Sequence, residues 1–198
     1  MNEVLKENLA GAAAVLSEIA ELENQIVAAS SLIATALLAG NKLLACGNGG
    51  SAADASHLTT EFVCRFMRDR RPYPAISLTA HGGDLTAIGN DYSYDDVFSR
   101  QVCAFGKPGD VLAAFTTSGK SENVRRALIA AKEHGLKSIA FLGQDGGRCV
   151  GLADVALLVA NRTTARIQEG HKLILHTICE MVELQLLSDN CRAGERVV

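Results

Sequence analysis

Two glycine- and hydroxyl-rich segments and two groups of acid–base side chains carry the chemistry this chain could perform. The segments are GNGGSAAD (47–54) and TTSGKSEN (116–123). Each supplies glycine for close backbone approach, then hydroxyls, then the start of a helix whose free amides and dipole favour an anion. Together they describe a phosphate site. Just after the first segment, His57 and Glu61 stand four residues apart, which places them on one face of a helix. Further on, RIQEGHKLILH (166–176) sets Gln168, His171 and His176 along an apolar stretch. A carboxylate and an imidazole brought together are the usual tools of proton transfer.

Each feature taken singly has a plainer explanation. The loops are ordinary turns with Ser and Asp caps, Glu61 pairs with Arg65 one turn on, and the histidines of the last stretch are satisfied core or interface groups. His81 and His134 have no partner pattern, and Arg65, Arg68, Arg70 and Arg71 read as a solvated helix end. Two nucleotide-binding readings also fail. Gly47, Gly49 and Ala52 satisfy G-x-G-x-x-A, but no acidic residue ends the next strand before Asp84. Gly119-Lys120-Ser121 ends like a P-loop, yet Ala114 stands where its first glycine belongs.

The elements that must position these residues alternate. Apolar residues Val4, Leu5, Leu9, Ala12, Ala13, Leu16 and Ile19 follow helical spacing, which predicts a first helix to about Leu22. A second runs from about Asn24 and stops at Gly40 with a left-handed cap. Five strand-length runs follow: 42–46, 75–78, 111–116, 138–143 and 154–159. Most are continuously apolar, as strands covered on both faces must be. Helical stretches separate several of them, and a last helix is predicted from about Arg166 to Leu187. This is an α/β layer fold with a mainly parallel sheet and right-handed crossovers. Its ligands belong beyond the carboxyl ends of the strands, where both glycine-rich segments fall.

The 198 residues suit one domain: a helical hairpin over 1–40, an α/β core with the last helix over 41–187, and a tail over 188–198 with no assignable role. An apolar fraction of 48% can bury a sizeable core, and a net charge of −3 gives nucleic acid or an anionic membrane no electrostatic pull. The six cysteines, at 46, 64, 103, 149, 179 and 191, form no Cys-x-x-Cys pair and read as reduced core residues. The N-terminus lacks the pattern of a secretion signal, so a cytoplasmic protein is expected.

GNGGSAADASHLTTEF, AIGNDYSYDDVFSRQV, TTSGKSENV and ARIQEGHKLILH, in that order and spacing, resemble the sugar isomerase (SIS) domain family and its phosphoheptose isomerase branch. The resemblance spans nearly the whole chain and implies a flavodoxin-like sheet and a homotetramer with sites at subunit contacts. It implies conversion of sedoheptulose 7-phosphate into D-glycero-D-manno-heptose 7-phosphate, on the way to lipopolysaccharide and related heptoses. By the same resemblance, Asn48, Gly49, Gly50, Asn90, Asp91, Glu61 and Gln168 line the sugar phosphate. Thr116, Thr117, Ser118 and Ser121 hold the phosphate, Glu61 and His176 are the catalytic pair, and His57, Glu61, Gln168 and His176 bind one zinc ion per subunit. No nucleotide cofactor is implied. The variation at His81, Gly82 and Gly83 bears on substrate contacts rather than on the reaction.

Those residue types suit an aldose–ketose isomerisation, in which one base serves two carbons and one acid serves two oxygens. Two tensions accompany the zinc set. A carboxylate bound to zinc is a poorer base, and Gln168 and His176 stand eight residues apart, about 12 Å along a straight helix. Either the helix begins near Gln168, or it bends, or one donor comes from a neighbouring chain. Two rival readings are a non-catalytic SIS protein that binds the bacterial replication initiator and an isomerase of another phosphosugar. Glu61 separates the first rival from the enzyme.

Overall fold

The computed structural model describes residues 1–193, with side chains to residue 189. Five parallel strands form one sheet: β1 (Leu43–Gly47), β2 (Ala75–Ser77), β3 (Val111–Thr116), β4 (Lys137–Gly143) and β5 (Val155–Val159). Their order is β2-β1-β3-β4-β5, the flavodoxin-like order. The order reverses between β1 and β3, so the crevice there opens between the loops that follow those two strands. These are the two glycine-rich segments. At the opposite end of the strands, Asp110 ties the starts of the same two strands together by accepting from the Lys42 amide at 2.9 Å and pairing with the Lys42 ammonium.

Every residue of β1 and β3 is buried because helices cover both faces. Leu43, Ala45, Val111, Ala113 and Phe115 face one core. It is shared with α1 (Glu3–Glu18), α2 (Glu23–Leu38), α3 (Gly50–Val63) and α7 (Thr164–Ala193). Leu44, Cys46, Leu112 and Ala114 face the other, with α5 (Ser99–Phe105) and α6 (Glu122–Glu133). Alternation along each strand thus feeds two cores, which is why the strands read as unbroken apolar runs. α4 (Gly82–Asp91) contributes no buried residue to either.

The first expected helix divides at a 3-10 turn over Ile19–Leu22, and α1 and α2 both pack chiefly on α7. α2 ends as expected at Gly40, where the Asn41 amide bonds Ala36 O and the Gly40 amide bonds Leu37 O. α7 starts two residues earlier than expected and runs thirty residues, so it does not begin near Gln168. It absorbs 188–193 of the expected tail. Residues 194–198 and the side chain of Cys191 lie outside the described residues. Cys46, Cys149 and Cys179 are buried thiols, whereas Cys64 and Cys103 are exposed, each near a helix end that the apolar pattern does not mark.

The arginine cluster needs a sharper correction. Arg70 is 5% exposed rather than solvated, and Glu183 on α7 is fully buried beside it. Glu183 accepts from the backbone amides of Phe66, Met67 and Arg68 and from Arg70 Nε at 3.2 Å. Arg70 in turn donates to the Phe62, Glu61 and Arg71 carbonyls. Burial pushes the Glu183 carboxyl up, but the three amides and Arg70 outweigh it and hold the group below the usual carboxylate range. Glu183→Ala strands Arg70 and is expected to cost about 3–5 kcal/mol in urea unfolding. Because the folded pKa is lowered, the Glu183 contribution is complete above an unfolded value near 4.3 and is lost as pH falls below it. Glu183→Gln should flatten this acid limb, and an unchanged limb would rule the clamp out as its source.

Candidate active site

The β3–α6 loop is shaped for a small anion. Thr116 Oγ1, nearly fully buried, accepts from the Gly119 amide at 3.1 Å and lies 3.3 Å from Ser121 Oγ. Ser121 precedes α6 without capping it through its hydroxyl, and Ser118 Oγ accepts from the Lys120 amide at 3.2 Å. Gly119 takes φ +63°, and a Cβ there would come within 2.1 Å of Gly146 O. The turn is therefore pressed against the β4–β5 loop, where only glycine fits. The arginines nearby are already engaged. Hydrogen bonds from Arg125 and then Arg126 hold the Glu122 carboxyl down to about 2, Arg148 lies 3.6 Å from it, and Arg126 bonds Asp96 at 2.6 Å. Amides and hydroxyls, with the exposed Lys120 of the turn itself, are left to attract an anion.

The β1–α3 loop faces this turn across the crevice. Asn48 hydrogen-bonds Asn123 of α6 and accepts from Tyr94 Oη at 3.0 Å. Gly49 and Gly50 are exposed at the start of α3. The Gln168 amide occupies the space beside Gly50, within 2.2 Å of where a Cβ would stand.

Two to three turns down the α3–α7 seam lies the acid–base cluster. His57 Nε2 is 2.8 Å from Glu61 Oε1, the His57 and His176 rings are 5.0 Å apart edge-on, and Phe66 stacks on His176 at 5.7 Å. Lys172 reaches His57 Nδ1 at 3.0 Å and Asp54 Oδ1 at 2.7 Å. An ammonium can only donate, so Nδ1 accepts, Nε2 carries the ring proton, and Glu61 receives it as a carboxylate. Burial, then His57 and Lys172, lower the His176 pKa below the usual imidazole value. His171 is a core residue, as its plainer reading expects: fully buried, with its ring 2.9 Å from the Leu142 carbonyl.

The structure thus gathers Asn48, Gly49, Gly50 and Gln168 near one end of the seam, with Thr116, Ser118 and Ser121 in the facing turn beside Thr117. Glu61, His57 and His176 meet at the other end. Gly50 and Glu61 are eleven residues apart on α3, about 16 Å of rise. Asn90 and Asp91 end the exposed α4 and bond each other at 2.8 Å. The expected zinc donors divide between the two ends, and among the described residues no group of three His, Cys, Asp or Glu side chains is placed to hold a metal. His57, Glu61 and His176 are of types that suit zinc, while the Gln168 amide lies beside Gly50 at the other end of the seam.

Sequence reasoning passed over Asp54, Tyr94, Asn123 and Lys172. For Lys172 a signal exists: with Gln168 and His176 it forms a stripe of three residues at four-residue spacing on the face of α7 toward α3.

An open parallel sheet with two anion-ready loops at its switch point, beside a carboxylate and an imidazole, defines a sugar-phosphate-handling α/β protein, and the SIS domain family model matches residues 8–143. The phosphoheptose isomerase of Citrifermentans bemidjiense is 52% identical over 84% of this chain and 86% of its own length. That of Synechocystis is 53% identical over 82% and 84%. The solved phosphoheptose isomerase of Neisseria gonorrhoeae superposes with a TM-score of 0.86 at 41% identity, over 92% of this chain and 98% of its own. The chain belongs to the phosphoheptose isomerase family of SIS domain proteins.

Gly119→Ala is expected to destabilise the fold by more than about 1–2 kcal/mol, from the left-handed backbone alone, and to weaken binding of a phosphorylated sugar at least tenfold. Calorimetric titration checks this, and undiminished binding would move the anion site elsewhere.

Proposed function

We propose that the protein is an aldose–ketose isomerase that converts sedoheptulose 7-phosphate into D-glycero-D-manno-heptose 7-phosphate, a heptose precursor of lipopolysaccharide type. The observation that carries this reading is the Glu61 carboxylate, oriented by His57 and lying in one cluster with the His176 ring. Removal of the C1 proton by Glu61 yields an enediol, and return of that proton to C2 completes the aldose. His176, neutral at pH 7, would donate its ring proton to the C2 oxygen and recover one from the C1 oxygen. A neutral imidazole serves this way in triosephosphate isomerase. The non-catalytic alternative gains no support, since the base is present and relatives near 50% identity carry the enzyme's name.

We further propose a homotetramer in the cytoplasm. The separation of the phosphate loops from Glu61 and His176 supports a site completed between copies. So do Val4, Leu5 and Leu9 of α1 and Leu184 of α7, each about half to two-thirds exposed. Free thiols at every described cysteine suit a reducing compartment. We propose zinc for His57, Glu61, Gln168 and His176 in that assembly, where it would supply Lewis-acid polarisation of the substrate carbonyl.

With purified protein and sedoheptulose 7-phosphate, Glu61→Gln and His176→Gln should each lower kcat by about 10²–10⁴-fold with little change in KM. No aldose from the wild type would sink the assignment. Elemental analysis should find one zinc per subunit, with a melting temperature that falls on chelation and recovers on zinc return. Indifference of both melting and activity would remove the metal from the account.

A further inference from the structure

The contacts around Asn48 fix which way its carboxamide faces, and the proof runs outward from the backbone. The Val124 amide, which can only donate, bonds Asn123 Oδ1 at 2.9 Å, so the Asn123 oxygen is unambiguous. That oxygen also accepts from Asn48 Nδ2 at 2.8 Å, and Asn123 Nδ2 returns a bond to Asn48 Oδ1 at 3.1 Å. Tyr94 Oη must then donate to the same Asn48 oxygen, at 3.0 Å. Asn48 Oδ1 has both acceptor positions filled, while Nδ2 keeps one uncommitted N–H. Asn123 is 3% exposed at the start of α6, whereas Tyr94 is 61% exposed, on the turn that follows Asn90 and Asp91.

We propose that Asn123 and Tyr94 are positioning residues that saturate the Asn48 oxygen, so that Asn48 meets the phosphosugar only as a hydrogen-bond donor to one of its oxygens. The Tyr94 hydroxyl also ties the segment bearing Asn90 and Asp91 to the first glycine-rich loop. The proposal rests on the reading that Asn48 contacts the substrate.

Steady-state kinetics on Asn48→Ala, Asn123→Ala, Tyr94→Phe and the two doubles containing Asn48→Ala separate the layers. Expected are a KM raised at least tenfold by Asn48→Ala and about three- to tenfold by each of the others. Changes in kcat should be small, and neither Asn123→Ala nor Tyr94→Phe should have any further effect once Asn48 is alanine. An unchanged KM in Asn48→Ala overturns the contact reading, and the proposal with it. A raised KM in Asn48→Ala with none in Tyr94→Phe, or effects that multiply in the doubles, overturns the positioning role alone. Should Asn123→Ala fail to fold, Tyr94→Phe decides, since it removes one oxygen from an exposed ring and should leave the melting temperature unchanged.

Discussion

A carboxylate sealed from water tolerates almost no displacement of the groups that solvate it, and the functional half of this molecule is organised around one such group. Glu183 has given up all contact with solvent in exchange for three successive amides and an arginine. The segment just beyond α3 is thereby fixed to α7. Because Arg70 also holds the carbonyls of Glu61 and Phe62, the end of α3 cannot shift along α7 without exposing a charge to an apolar interior. Glu61 and His176 inherit their relation from that clamp: Arg70 holds the Glu61 carbonyl, and Phe66, whose amide bonds Glu183, stacks on the His176 ring. Further up, Gly50 admits Gln168 and lets the helices approach.

The phosphate end works by a different economy of charge. Its arginines are consumed by Glu122 and Asp96, so apart from the exposed Lys120 the loop presents amides and hydroxyls whose direction is set by the backbone. Such a site discriminates by shape and distance more than by charge. That accords with the weakly acidic composition of the chain.

Much of this was legible in the residues. Unbroken apolar runs announced strands covered on both faces, glycine and serine at their ends announced anion loops, and i,i+4 spacing put His57 beside Glu61. What escaped shares a physical cause. Arg70 looks like any arginine near a helix end, and only the distant Glu183 makes its burial affordable. Tyr94 and Asn123 lie 29 residues apart in the sequence and meet at Asn48 only because strand order reverses between β1 and β3. Helical rise already sets Gln168 and His176 about 12 Å apart along α7. The length of α7 was missed because its last turns carry polar residues at no marked stop.

The reversal of strand order has a consequence for how the protein comes into being. β1 has no partner until β2 or β3 arrives, and the Lys42–Asp110 pair that locks β1 to β3 closes a loop of 68 residues. Pairing of such low locality is slow, and it leaves fully apolar strands uncovered while the chain searches. Both glycine-rich loops depend on it, because neither faces the other beforehand. Ligand-binding competence therefore emerges late and all at once during folding. A nascent or partly unfolded chain in which β1 and β3 have not paired would hold no crevice for a sugar phosphate.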